Sequence, residues 1–251
     1  MEISALISIL RFNQKNQKPF ALRLPPYGGG RGERPYLDMT IKKFEVNPLQ
    51  ENCYVVSDET KECMIVDCGA FYPQEIQAIT NYILENNLKP VVCALTHAHF
   101  DHIYGVRAIC DRYAIKPILS QKDEQLYNTF DEQMRMFMQA DIDFNMPEIG
   151  GFVKDNDIVR FGNQEFRVIE TPGHTRGGIF FYNEKEKVAF SGDTLFKGSI
   201  GRTDFPGGSM FQIIQSLRMV TQLPDDVKVY PGHGPQTTIG YELASNPYLD
   251  R

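Results

Sequence analysis

The run T-H-A-H-F-D-H, Thr96 to His102, places three histidines and an aspartate within six positions, in a chain that has only five histidines. That concentration restricts the local backbone. On an α-helix, side chains two positions apart point about 200° away from each other, so His97 and His99 could not meet there. In an extended segment, positions i and i+2 share a face. His97 and His99 therefore converge if V-V-C-A-L-T (91–96) is a strand that ends at Thr96 and opens into a loop. Asp101 and His102 then stand at the turn into the next helix, aimed at a second location.

The other two histidines repeat one pattern. His174 sits in T-P-G-H-T after the apolar run F-R-V-I-E-T (166–171), and His233 sits in Y-P-G-H-G after V-K-V-Y (227–230). Asp193 follows K-V-A-F-S (187–191) in a Gly-Asp pair. Glycine lets the chain turn sharply at a strand end and leaves room for a ligand. All five histidines and two aspartates thus follow strand ends, where sites assemble in open α/β folds. Imidazole and carboxylate suit Zn²⁺, with Fe and Mn as the other options. Seven such side chains exceed what one four-coordinate zinc takes, so the set fits two metals sharing a carboxylate. One isolated histidine is usually a core or surface residue; five of five beside strand ends is a different case.

The rest of the chain supplies the frame. M-T-I-K-K-F-E-V, from Met39, reads as a first strand. C-Y-V-V (53–56) and C-M-I-V-D (63–67) flank the polar S-D-E-T-K-E and read as a hairpin. Ile76, Ile79, Ile83 and Leu84 give residues 73–86 a helical period. Helices are also expected over 103–113, 121–141 and 211–223, short strands at K-P-I-L-S and I-F-F-Y, and a hairpin turn at Asp155–Asp157. Strands precede helices in both halves, which predicts an α/β sandwich of two mixed sheets. Met134, Met136, Met138 and Met146 suit either a soft lid over a bound apolar group or ordinary core.

Composition closes off several classes. The net charge of −6 argues against a nucleic-acid binder with a broad basic face. No apolar run approaches the ~20 residues of a membrane helix, and the N-terminal residues lack the basic start and small-residue cleavage site of a signal peptide. Five cysteines without regular spacing suit reduced thiols in a cytoplasmic protein. Residues 1–38 carry six Lys/Arg against three Asp/Glu, whereas residues 39–251 carry 20 against 29. They also contain P-P-Y-G-G-G-R-G (25–32), which reads as loop. The expected organisation is an N-terminal extension over 1–38, a non-native start or a flexible arm, followed by one catalytic domain over 39–251.

The ligand pattern resembles the metallo-β-lactamase superfamily, whose signature H-x-H-x-D-H is followed by His, Asp and His at later strand ends. The resemblance covers residues 39–251 and implies an αββα sandwich with a dinuclear site at one edge. It implies that His97, His99 and His174 hold one metal, that Asp101, His102 and His233 hold the other, and that Asp193 bridges. Two stretches, G-D-T-L-F-K-G-S-I-G-R-T-D-F-P-G-G (192–208) and P-G-H-G-P-Q-T-T-I-G-Y-E (231–242), resemble short glyoxalase II-like (hydroxyacylglutathione hydrolase-like) hydrolases. Full-length glyoxalase II has a helical C-terminal domain that supplies much of its glutathione pocket, and this chain ends 18 residues after His233.

The activity implied is hydrolysis of a small-molecule thioester, with a hydroxyacyl-thiol substrate attacked by metal-bound hydroxide. Two divalent ions, zinc in the first instance, are the implied cofactors. Asp101 would both ligate and orient the attacking group. Arg202, nine residues beyond Asp193, resembles a cationic substrate contact of glyoxalase II; the other reading is an ion pair with Asp204. Asp67 would orient a ligand, and Cys68 would be a buried, inert thiol. The rival within the same fold is a mononuclear iron persulfide dioxygenase, using the counterparts of His97, His174 and Asp193. A β-lactamase is disfavoured because it would be exported, and a non-catalytic binding module because the ligand set is complete.

Overall fold

The computed structural model describes residues 39–139 and 144–249, so the expected extension over 1–38 lies outside the described residues. The strands are β1 (Thr40–Val46), β2 (Glu51–Ser57), β3 (Glu62–Val66), β4 (Lys89–Ala94), β5 (Pro117–Ser120), β6 (Gly151–Val153), β7 (Ile158–Phe161), β8 (Gln164–Glu170), β9 (Ile179–Asn183), β10 (Val188–Gly192), β11 (Leu195–Phe196), β12 (Ser199–Ile200), β13 (Lys228–Pro231) and β14 (Thr237–Thr238). The helices are α1 (Pro73–Glu85), α2 (Phe100–Ile103), α3 (Val106–Tyr113), α4 (Glu124–Asn128), α5 (Phe130–Met138), α6 (Met210–Val220) and α7 (Ile239–Ser245).

The strands form two six-stranded sheets, in the orders β1-β2-β3-β4-β5-β6 and β14-β13-β10-β9-β8-β7, with β11 and β12 as a separate ribbon. Both sheets are mixed: β2 and β3 pair antiparallel while β3, β4, β5 and β6 run parallel. Alternation of side chains sorts the strands into layers. In β3, Cys63 and Ile65 face an outer core with Ile79, Ile83, Val106 and Ile109 of α1 and α3. Met64 and Val66 face the opposite way, into an inner core with Phe166, Val168, Phe181 and Phe190 of the second sheet. Phe180 and Tyr182 of β9 then face a third core with Ile213, Leu217 and Val220 of α6. The result is helix, sheet, sheet, helix: the two mixed sheets are as the strand and helix pattern predicts, and the layering is as the resemblance implies.

Three expectations change in detail. The helix over 121–141 is broken: a 3₁₀ turn (Gln121–Asp123) leads into α4, and Thr129 separates α4 from α5. Thr129 turns its hydroxyl back onto the carbonyls of Gln125 and Leu126, which competes with continuing the helix. Residues 103–113 hold the end of α2 and all of α3, split at Tyr104 and Gly105. Asp155–Asp157 is a turn but not a hairpin, because β6 belongs to the first sheet and β7 to the second. Asn156 makes that crossing at φ 66°, a conformation asparagine tolerates better than most residues. The segment from 140 to 143, which includes the last two residues of the expected helix, lies outside the described residues. Among the described residues no helix is long and apolar enough to cross a membrane.

Candidate metal centre

The topology delivers the ligands to one place. β8 pairs antiparallel with β9, β9 antiparallel with β10, and β10 parallel with β13. β8, β10 and β13 therefore all end on the same edge, carrying His174, Asp193 and His233. The first sheet meets them there: Ile179 N–H donates to the Thr96 carbonyl at 2.9 Å, just before His97. Tyr54 Oη and Asn52 Nδ2 donate to the Pro231 carbonyl at 2.7 and 3.0 Å, just before His233.

The side chains converge in three overlapping groups, one of them Asp67, His97 and His102. One nitrogen each of His97, His99 and His174 lie within 4.8 Å of one another, and so do ligand atoms of Asp101, His102 and His233. Asp193 stands between these last two. Its Oδ1 is 3.3 Å from His102 Nε2, and its Oδ2 is 3.5 Å from His174 Nε2 and 3.6 Å from His233 Nε2. Asp101 Oδ2 lies 3.3 Å from His233 Nε2. The sequence pattern predicts that these side chains gather in neighbouring sets.

The opposite ring nitrogens are held by a surrounding shell. Thr96 Oγ1 lies 3.1 Å from His97 Nδ1, Asp67 Oδ2 3.0 Å from His102 Nδ1, the Arg202 carbonyl 2.8 Å from His174 Nδ1, and the Leu49 carbonyl 3.0 Å from His233 Nδ1. Engaging Nδ1 in this way fixes the ring orientation and leaves Nε2 to face the centre. Asp67 takes φ 48°, which turns its carboxylate back to accept from Thr96 N and Oγ1, each at 2.7 Å. It thus positions His102, as expected.

The electrostatics match a cation site. Burial and then His102 push the His97 imidazole well below its ordinary pKa, and burial and then His174 push His99 down to about 3. Both rings are neutral at neutral pH and offer lone pairs. Burial raises the Asp193 carboxyl, but His102, His233 and His174 outweigh it and hold the group well below the usual carboxylate range. Burial lowers His102, but Asp193, Asp101 and Asp67 reverse the sign and raise it well above its ordinary value. His97 Nε2, His102 Nε2 and Asp193 Oδ1 are buried without a hydrogen-bond partner among the described residues. Buried nitrogen and carboxylate atoms left unpaired and facing one another are costly unless a cation joins them, so this donor set fits metal ions.

Small residues make the close approach possible. A Cβ on Gly232 would lie 2.3 Å from Asp193 Oδ1 and 2.5 Å from His102 Cε1. Several supporting residues carry no local sequence signal. Asp123 accepts from Ala98 N, Thr175 Oγ1 and Gly177 N, tying the His97–His99 loop to the His174 turn. Gln133 of α5 accepts from Phe100 N and donates to the Ala98 and Leu126 carbonyls. Glu51 is fully buried and accepts from Gly69 N. Apart from Gln133 to Leu126, these contacts join positions 18 to 54 residues apart, which is why no motif shows them.

Other expected residues divide. The Arg202 guanidinium makes two bonds to the Asp204 carboxylate, at 2.8 and 2.7 Å, and lies over the Phe205 ring. The ion-pair alternative is therefore formed, and a substrate carboxylate would have to compete with Asp204. Cys68 is buried. The methionines form no lid together: Met134 is fully buried in the outer core, Met146 is packed against it, and Met136 is exposed. The Met138 side chain lies outside what is described.

With this geometry, known proteins are informative. The profile of the metallo-beta-lactamase superfamily matches residues 46–233. Hydroxyacylglutathione hydrolase GloC of Haemophilus influenzae is 37% identical over 214 residues, covering 84% of this chain and 99% of that protein. The crystal structure of BLEG-1 B3 metallo-beta-lactamase superposes with a TM-score of 0.77 at 34% identity, covering 83% of this chain and 99% of that one. TTHA1623, solved in a di-iron-bound form, superposes with a TM-score of 0.73 at 33% identity, covering 83% and 100%. The matched span begins at the last residue of β1 and ends on His233, taking in most of both sheets and all seven converging side chains: the chain belongs to the metallo-beta-lactamase superfamily.

Proposed function

We propose that this protein is a binuclear metal-dependent hydrolase of thioesters with a hydroxyacyl-thiol substrate. His97, His99 and His174 hold one ion, Asp101, His102 and His233 hold the other, and Asp193 is shared. The observation that carries the reading is the placement of Asp193, whose Oδ2 lies 3.5 Å from His174 Nε2 of one group and 3.6 Å from His233 Nε2 of the other, with Oδ1 3.3 Å from His102 Nε2. Similarity to GloC along nearly the whole of that protein supports thioester chemistry.

Ions bound there would supply Lewis acidity, lowering the pKa of a coordinated water from 15.7 towards ~7 and polarising the substrate carbonyl. The chain's own residues do the positioning. Thr96, Asp67 and the Leu49 and Arg202 carbonyls hold the imidazoles in place. Asp101, whose Oδ2 lies 3.3 Å from His233 Nε2, would help hold an ion and orient the attacking water. Arg202 takes a substrate carboxylate by exchanging it against Asp204. Zinc is the first choice of metal; the di-iron form of TTHA1623 keeps iron in play, with manganese the remaining option. A cytoplasmic setting rests on five buried, unpaired thiols.

A one-iron persulfide dioxygenase is the second reading. It is favoured by the closeness of His97, His174 and Asp193: the two rings are 4.9 Å apart, and Asp193 Oδ2 is 3.5 Å from His174 Nε2. Elemental analysis of protein purified without added metal, combined with assays on lactoylglutathione, a β-lactam and glutathione persulfide, separates the readings. About two metal equivalents with thioester turnover is the expected result. A single equivalent of iron with persulfide-dependent oxygen uptake overturns it. Selective β-lactam turnover would move the substrate class instead.

A further inference from the structure

A continuous set of aromatic rings leads away from the metal centre. The Phe205 ring stands edge-on to His99 with centroids 6.0 Å apart. Phe137 of α5 meets Phe205 at 5.1 Å and stacks on Phe100 at 5.1 Å with the planes 17° apart. Exposure rises along the set: Phe100 is 8% exposed, Phe205 is half-buried and Phe137 is 38% exposed. A lone exposed aromatic residue needs no explanation. Here the rings are contiguous, and one of them contacts a residue of the centre.

The break at Thr129 sets the direction of α5. That helix also carries Gln133, which clamps the Ala98–Phe100 backbone. Phe137 is therefore held by the same element that fixes the ligand loop, one helical turn further on. Burying an apolar group against such a wall is favourable, whereas the centre itself offers imidazoles and carboxylates. Arg202, paired with Asp204, lies over the Phe205 ring at 3.7 Å.

We propose that Phe100, Phe137 and Phe205 form a specificity wall that receives an apolar arm of the substrate, aromatic or branched aliphatic, next to the bond that is cleaved. This rests on the hydrolase reading and adds a substrate class to it. The arm belongs either to the acyl group or to the thiol carrier, and both offer the same chemistry to the wall.

The test uses the full, metal-loaded chain and two thioester series. One compares acetyl with phenylacetyl on a fixed thiol. The other compares ethanethiol with 2-phenylethanethiol on a fixed acetyl group. In one series the phenyl compound is expected to have a kcat/KM about tenfold higher, within the range apolar pockets deliver. Phe137→Ser brings that ratio close to unity, Phe137→Leu retains most of it, and Met136→Ser, an exposed neighbour outside the wall, leaves it alone. The responding series identifies the arm. A ratio that Phe137→Ser does not change overturns the wall while leaving the hydrolase reading intact. If neither series is turned over, the wall is judged by calorimetric binding of 3-phenylpropionate against propionate, and the hydrolase reading by its own assay on lactoylglutathione. About tenfold tighter binding of the phenyl compound, lost in Phe137→Ser, supports it; equal binding overturns it.

Discussion

Asp67 Oδ2 lies 3.0 Å from His102 Nδ1, and the same oxygen accepts the Thr96 hydroxyl at 2.7 Å. One buried carboxylate thus sets the orientation of a second-group histidine and anchors the residue beside a first-group histidine. Asp67→Ala is expected to weaken metal binding about 10- to 100-fold, the usual effect of losing such a supporting residue. Competition with a chromophoric chelator measures it. Unchanged affinity would mean that His102 is held by packing alone.

Gly232 is required by contact distances. Any Cβ there meets Asp193 Oδ1 at 2.3 Å, so Gly232→Ala must displace either the loop or the shared carboxylate. The expected outcome is a loss of metal content and about 100-fold lower turnover, with a far-ultraviolet circular dichroism spectrum close to that of the parent. Full metal loading in this variant would show that Asp193 is not shared between the groups.

Gln133 gives a prediction about stability. Gln133→Leu removes three hydrogen bonds and leaves the Phe100 N–H and the Ala98 and Leu126 carbonyls without that partner. The expected cost is about 2–4 kcal/mol, which lowers Tm by roughly 5–15 °C for a domain of this size. Calorimetry on metal-loaded protein checks the value. A shift under one degree would mean that solvent replaces the glutamine.

The thiols should be silent. Cys53, Cys63, Cys68, Cys93 and Cys110 are all buried and unpaired. Burial pushes the Cys63 thiol up to about 12, so at pH 8 it is almost wholly protonated, and the thiolate is the reactive form. Native protein is expected to react negligibly with Ellman's reagent over minutes, and to release five equivalents once unfolded. Rapid reaction of one thiol in the native state would place it at an opening in the fold.

Metal removal should reach stability as well as activity. The buried histidine nitrogens and the Asp193 oxygen gain partners from bound ions, and whatever binds only the folded state stabilises it. Chelation with dipicolinate is expected to lower Tm by several degrees, and zinc to restore it. A Tm indifferent to chelation would mean that the seven side chains are stable without ions.

How much of this was legible in advance follows from how each feature is encoded. The two sheets are visible because apolar runs such as C-M-I-V and I-F-F-Y are local, and alternation assigns their faces. The seven converging residues are visible because histidine is scarce here and each one follows a strand beside a turn-forming glycine. The break in the expected 121–141 helix was hidden, because Thr129 ends α4 through a hydroxyl bond that competes only weakly with helix propensity. The Arg202–Asp204 pair was one of two open readings, and sequence spacing does not choose between them.

The sequence by itself determined the layered α/β architecture, the family and the identity of the ligand-type residues, since these depend on periodicity and on residue types at strand ends. Tertiary structure decided which residues hold those side chains in place and what surrounds them. Asp123 meets Gly177 across 54 positions and Asn52 meets Pro231 across 179. The Phe100–Phe137–Phe205 wall joins three elements that share no motif. Such contacts form only when the two sheets close on each other, because hydrogen-bond and ring geometry depend on distance in space and not on spacing along the chain.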